Sequence, residues 1–282
     1  MRRPAAGGLA ARLCLAVLAA YAAAAIFGEY QYSAARARGV VAQYNVVREE
    51  RRHQPPSLAR GGYVLGSDNL GRSVALRLVQ GTRIAFHVGI LTSLVAMPLG
   101  ILLGCLGGYL GGRLDALVVW LCATVSSIPS LLLILAIAAV VGKGLAGIYW
   151  GIGLTTWVGV CRNIRAETIK HRDRPYVQAA RLLGYSTPRI VFRHILPNTA
   201  HVALVLFAIR FPAAIGTEVF VSFLGIGVQG EPSWGVMLND ARMRLWQGAW
   251  WEMTFVSLAI FGLVLAFNVL ADAYSDGGAG RG

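Results

Sequence analysis

Residues 175–198 read PYVQAARLLGYSTPRIVFRHILPN, a basic segment set between two long apolar runs. Pro175 presets a helical first turn. Good helix formers follow over residues 176–183, and Gly184 is placed to stop that helix in the left-handed conformation. Thr187 then reads as a helix cap with Pro188 at the first helical position. Arg189 and Arg193 fall four apart on one face of the second helix, and Pro197 is expected to kink or end it. The segment is therefore helix, glycine corner, helix. Its first helix, about 10 residues or roughly 15 Å long, presents Ala179 and Ala180 beside Val177 and Leu183. A helix of this kind rests on lipid headgroups or docks in a groove of another protein, and spacing alone leaves both open.

The flanking chain decides the class. Only 14% of the 282 residues are charged and 56% are hydrophobic, against about 25% charged in soluble domains. Apolar runs are expected to span the membrane at residues 9–28, 84–105, 116–141, 148–160, 200–223 and 254–270. Each approaches the ~20 residues that cross a bilayer core, and lipid forces them to be helices. The expected fold is an all-α membrane protein with six transmembrane helices. The first run, behind Arg2 and Arg3, also reads as a signal peptide.

The net charge of +13 would point to nucleic acid in a soluble protein. Here the basic residues collect in flanks and loops, which fits orientation signals and anionic lipid, with no nucleic-acid partner. The link between the fourth and fifth runs is the densest basic region, with Arg162, Arg165, Lys170, Arg172, Arg174, Arg181, Arg189 and Arg193. It is assigned to the cytoplasm, which puts both chain termini inside. Residues 29–83 then fall outside although they carry nine arginines, Arg60 among them.

The spacing of Gln178-Ala179-Ala180, Gly184 and Leu196-Pro197 resembles the EAA loop of ABC importer permeases. Gln178 stands where that family has Glu, and His194 where it has Ile. Residues 65–72, LGSDNLGR, resemble a signature of the dipeptide/oligopeptide/nickel branch, and residues 218–238, EVFVSFLGIGVQGEPSWGVML, resemble another. The resemblance covers about residues 55–245. It implies the type I importer permease fold in a bacterial inner membrane, half of a translocation pathway for peptides, nickel or another small solute. It also implies a second permease subunit, two ATPase subunits carrying ATP and Mg, and an extracytoplasmic binding protein. Tyr176, Gln178, Ala179, Ala180, Gly184, Leu196 and Pro197 would form the contact with an ATPase. On this reading the core is residues 84–272, with a coupling loop at 162–198, an outer loop at 226–253 and a cytoplasmic tail at 273–282.

No catalytic or metal-ligating grouping stands out. Cys14, Cys105, Cys122 and Cys161 sit in or beside apolar runs and read as packing residues. Gly225-x-Gly227-x-x-Gly230 follows too long an apolar run to be a dinucleotide loop, and Gly142-Lys143-Gly144 lacks phosphate-loop spacing. Arg210 and Glu218, in or beside the fifth run, line a pathway, pair across a subunit interface or form a structural ion pair. Pro212 between them suggests a gating kink. Trp234, Asp240 and Arg242 are candidates for the side that meets a binding protein, and Trp250 and Trp251 for an aromatic belt. A secondary transporter would need its own ion relay, for which Arg210 and Glu218 offer little.

Overall fold

A computed structural model describes residues 6–58, 63–142, 144–228 and 230–279. Arg2, Arg3, Arg60 and Lys143 lie outside the described residues. The described residues form ten α-helices: α1 Ala6–Arg38, α2 Val74–Leu110, α3 Gly112–Ser127, α4 Ser130–Val141, α5 Leu145–Arg172, α6 Pro175–Leu182, α7 Thr187–Ile190, α8 Leu196–Phe223, α9 Trp234–Arg242 and α10 Trp251–Ala279. Among the described residues β-pairing is confined to an isolated bridge, Ser67 to Ser73. The chain is all-α, as expected.

Among the described residues four helical stretches are long and apolar enough to cross a membrane: Ala10–Arg38, Val74–Leu110, Thr187–Phe223 and Trp251–Ala273. The third expected span is not one helix. Pro129 forces Ile128 into an extended conformation (φ −91°, ψ 129°), because its ring excludes the helical region for the residue before it. α3 and α4 are therefore bent by 89°, and counting them as one span gives five. The fourth expected span is the first half of α5, which has 28 residues but carries Arg162, Arg165, Glu167, Lys170 and Arg172 in its second half. α1 runs past the expected end at residue 28, and α2 starts at Val74, before the expected start at 84. Pro197 neither ends nor breaks its helix. A π-helical turn, Val191–Ile195, precedes it, and the wider turn takes up the missing N–H and the ring's steric demand.

The chain divides into two compact units. One holds Ile90–Gly142 and Ala146–Phe211. In it, α2 and α5 approach backbone to backbone along Gly100, Gly104 and Gly108, which repeat every fourth residue on one helix face. A Cβ at Gly104 would stand 2.8 Å from the Cys161 carbonyl oxygen, and one at Gly108 would stand 2.8 Å from that of Arg165. Small residues at this spacing let membrane helices gain dispersion contacts that lipid cannot compete for. Ala96, Val118, Cys122, Trp157, Val158 and Cys161 fill one side of the contact. Asp115 of α3 pairs with Arg165 at 2.5 Å, and Arg162 donates to Ser126 at 3.0 Å. Cys105, Cys122 and Cys161 are buried free thiols, in keeping with packing roles.

The other unit holds the described residues up to Gly89 together with Pro212–Ala273. Its loop before α2 is tied by the LGSDNLGR segment. Asp68 is buried and accepts from the Leu70 and Arg72 amides at 2.9 and 2.8 Å and from Arg72 Nε at 2.6 Å. Arg77, also buried, lies 3.5 Å from the same carboxylate. The Ser67 hydroxyl donates to the Arg51 carbonyl oxygen and accepts from the Gln54 amide. The Trp251 indole donates to the Ser67 carbonyl at 3.0 Å, across Gly66, whose φ of +80° a side chain would strain. Arg83 pairs with Glu231 at 2.7 Å and Glu29 at 3.5 Å and lies over the Tyr32 ring at 4.0 Å. Burial pushes the neighbouring Tyr44 phenol up to about 12 and raises the Glu231 carboxyl.

Four of the nine arginines in residues 29–83 have ion-pair partners among the described residues: Arg52 pairs with Glu49, Arg72 and Arg77 with Asp68, and Arg83 with Glu29 and Glu231.

Asp68→Asn leaves Arg77 buried without its nearest anion and is expected to cost about 3 kcal/mol, read as a lowered thermal midpoint of the detergent-solubilised protein. Gly104→Ala is expected to cost about 1–3 kcal/mol by overpacking α2 against α5, with Gly112→Ala, where no atom lies within 4 Å of the new Cβ, measuring the backbone strain alone (φ +56°).

Candidate functional site

The 175–198 segment folds as the sequence reading expected in outline. Pro175 opens α6. Gly184, at φ +76°, closes it with paired bonds: Tyr185 N–H to the Ala180 carbonyl at 3.1 Å and Gly184 N–H to the Arg181 carbonyl at 2.9 Å. This is the Schellman arrangement, in which the left-handed residue satisfies the last carbonyls of the helix. Ser186, not Thr187, is the residue before α7, and its side chain makes no cap bond.

α6 has two different faces. Val177 and Ala180 are buried with Ile190, Val191 and Ile195 against Cys105 and Tyr109 of α2 and Val160 and Ile164 of α5. Arg181 Nε donates to the Tyr109 hydroxyl at 3.1 Å, with the guanidinium 4.9 Å from the ring centre. The Tyr176 hydroxyl meets His171 Nδ1 at 2.8 Å, and burial raises its phenol. The outer face exposes Gln178 and Ala179, and the helix end exposes Leu182 at 90% and Leu183 at 71%.

The expected contact residues differ in exposure. Ala180 points into the protein's own core, and Tyr176 is half-buried. Leu196 packs against the same core, and Pro197 lies exposed in the first turn of α8. Leu182 was not among the expected residues and is the most exposed large apolar side chain of the helix. The signal for it was the short apolar pair Leu182-Leu183 on a helix whose inward face was already filled by Val177 and Ala180.

Gln178 has a local explanation. Its amide nitrogen donates to the Asp173 carbonyl at 3.1 Å, a bond that an ionised glutamate, which only accepts, cannot make. Beyond Gly184, Tyr185 stacks on His194 with centroids 5.7 Å apart, and Arg189 lies over the Tyr185 ring at 5.4 Å.

The remaining candidates separate. In the unit of α5, Arg210 donates to the Thr156 carbonyl at 2.9 Å. In the other unit, Glu218 is 1% exposed. The Ser222 hydroxyl donates to it at 2.7 Å and accepts from the Val228 amide at 3.0 Å. Glu218 therefore pins the turn after α8. Pro212 lies inside α8, which continues through it.

Gly225 and Gly230 are left-handed turn residues, and the segment shows none of the strand that a dinucleotide loop follows. Trp234, at 1% exposure, is no surface residue. Its indole donates to the Leu78 carbonyl at 3.2 Å, and it packs on Gly81 and edge-on to Tyr21. Trp251 is buried as well, so both indoles are spent on contacts inside this unit. Trp250 is exposed, and Trp246 is exposed at 95%. Asp240 lies 3.9 Å from Arg77, and Arg242 sits over the Phe223 ring at 5.0 Å.

Comparison with known proteins agrees with this geometry. Residues 96–276, well over half of the chain, match the family described as binding-protein-dependent transport system inner membrane component. The chain is 36% identical to a dipeptide transport system permease protein of Bacillus subtilis over 83% of its own length and 73% of the relative. It is 37% identical to a glutathione transport system permease protein of Pectobacterium atrosepticum, over 80% and 74%. With an oligopeptide transport system permease protein of Bacillus subtilis it shares 31%, over 90% and 78%. Among solved structures it resembles a chain of the MetNI methionine ABC transporter, with a TM-score of 0.55 at 18% identity over 71% of this chain and 93% of that one, a likeness of fold. The chain belongs to the binding-protein-dependent transport inner-membrane components: it is a multi-pass, non-catalytic permease subunit of the ABC importer family, which works with ATPase and binding-protein partners.

Proposed function

We propose that this subunit forms half of the translocation pathway of an ATP-driven peptide importer and receives the work of ATP hydrolysis through α6. The observation that carries the reading is the two-faced α6. One face is locked onto α2 and α5, and the other, with Ala179, Leu182 and Leu183, stands free beside the left-handed corner at Gly184. An eight-residue helix has little stability of its own, so its free apolar end fits a groove supplied by another protein better than open water. The partner is an ATPase subunit, two per complex, which carries the ATP and Mg, alongside a second, similar permease subunit. Closure of the ATPases reaches the spans as rigid-body motion.

On this reading the chain crosses the membrane six times, with the bent α3–α4 pair as the third span and α5 as the fourth. Both termini and α6 are cytoplasmic, and Asp240 and Arg242 lie on the side that meets the binding protein. Peptide is the favoured cargo because the relatives are named for dipeptide, oligopeptide and glutathione transport, all of which share peptide chemistry.

In proteoliposomes holding the full complex and its binding protein, Leu182→Glu and Gly184→Glu are each expected to lower peptide uptake at least about tenfold, the loss of ~1.4 kcal/mol or more of coupling contact. Assembly of the membrane subunits should persist, because neither side chain belongs to the buried core. Normal uptake in both variants would sink the assignment of α6. The purified chain alone is expected to hydrolyse no ATP above a buffer control.

A further inference from the structure

Arg210 sits near the middle of α8, 14 residues from Leu196 and 13 from Phe223, or about 20 Å from either end. A cation at that depth is costly and is retained where an anion or a water-filled cavity receives it. Its surroundings supply little. One guanidinium nitrogen donates to the Thr156 carbonyl. Nε is buried without a hydrogen-bond partner, and among the described residues no carboxylate pairs with it. The other terminal nitrogen of the guanidinium reaches up to Gly159, where a Cβ would collide with it.

The helix beneath is polar where it meets Arg210. Thr156, Gly159 and Asn163 recur at helical spacing on one face of α5 that is not buried. Their own polar groups are spent within the helix. The Thr156 hydroxyl donates to the Ile152 carbonyl at 2.8 Å, and the Asn163 amide to the Gly159 carbonyl at 2.8 Å. The strip therefore offers a polar wall with no anion, and the arginine donors are what remains unspent above it. A planar guanidinium with free N–H groups is built for a carboxylate, which it can grip through two parallel bonds.

We propose that Arg210, seated on the Thr156–Gly159–Asn163 strip, is a carboxylate-binding site in the translocation path, and that it takes the terminal carboxylate of the transported peptide. The proposal rests on the peptide-import reading. It gives the subunit a selectivity of its own, separate from the binding protein: a passing anion is held at mid-span, where bulk water no longer competes for it.

The test uses the full complex with its binding protein in proteoliposomes, and measures initial uptake of dialanine and of dialanine amide. Arg210→Gln is expected to lower uptake of the free acid about tenfold or more, the worth of a hydrogen bond to a charged group, and that of the amide less than about twofold. Arg210→Lys should recover part of the acid rate, since it keeps the charge but loses the fork. Gly159→Leu, which fills the guanidinium's seat without touching its charge, should reproduce the selective loss. Equal loss for acid and amide, or no loss, overturns the site. Loss accompanied by dissociation of the permease pair also overturns it, because the anion would then belong to the neighbouring subunit. A wild-type complex that carries neither dipeptide instead removes the peptide-import reading on which the proposal stands.

Discussion

The close approach of α2 and α5 is the constraint on which the rest of this subunit depends. Gly100, Gly104 and Gly108 let the α5 backbone lie directly on α2. Lipid solvates apolar side chains as well as a neighbouring helix does, so the drive to associate comes from close packing and not from escaping water. That contact fixes the second half of α5, with its run of charges, in one place. From there Arg165 reaches Asp115 and Arg162 reaches Ser126. Val160 and Ile164 complete the floor on which Val177 and Ala180 of α6 rest. A side chain at Gly104 would lift α5 and, with it, the seat of α6.

Much of this was legible in the residues. Pro175, Gly184 and Pro188 mark the helix–corner–helix because each acts locally, through a fixed φ or a missing Cβ. The glycine repeat on α2 went unread, because its use shows only once the α5 backbone lies against it. What was not legible depended on partners distant in sequence. Ala179 and Ala180 look equivalent until α2 and α5 cover one of them. Trp234 and Trp251 look like surface aromatics until the Leu78 and Ser67 carbonyls are found to receive their indoles. Arg72, Arg77 and Arg83 look like free charge until Asp68, Glu29 and Glu231 are placed beside them.

Hydropathy places the third and fourth spans but misses what shapes each. Residues 116–141 are apolar throughout, so a window sees one span. The bend at Ile128–Pro129 is a backbone effect that hydropathy cannot register. α5 fails the apolar criterion because of features that serve it: Thr156, Gly159 and Asn163 on one face, and the arginines that reach α3 in its second half. A helix buried among others can be polar where it meets protein or water, provided its backbone is satisfied internally. The length of an apolar run is therefore a poor guide in a subunit whose helices shield one another.

The mechanics of the 175–198 segment follow from the same packing. α6 holds itself in place with two buried side chains, one arginine–tyrosine contact and a glycine corner. Being too short to stand alone, it keeps its shape only while docked, and so moves with α2 and α5. The route onward to α8 passes through the π-helical turn at Val191–Ile195. Val191 and Ile195 lie in the same core cluster as Val177 and Ala180, so the chain on both sides of Gly184 is seated on α2 and α5. The corner itself, where nothing lies within 4 Å of the place a Cβ would take, is the part of the segment that no core contact holds.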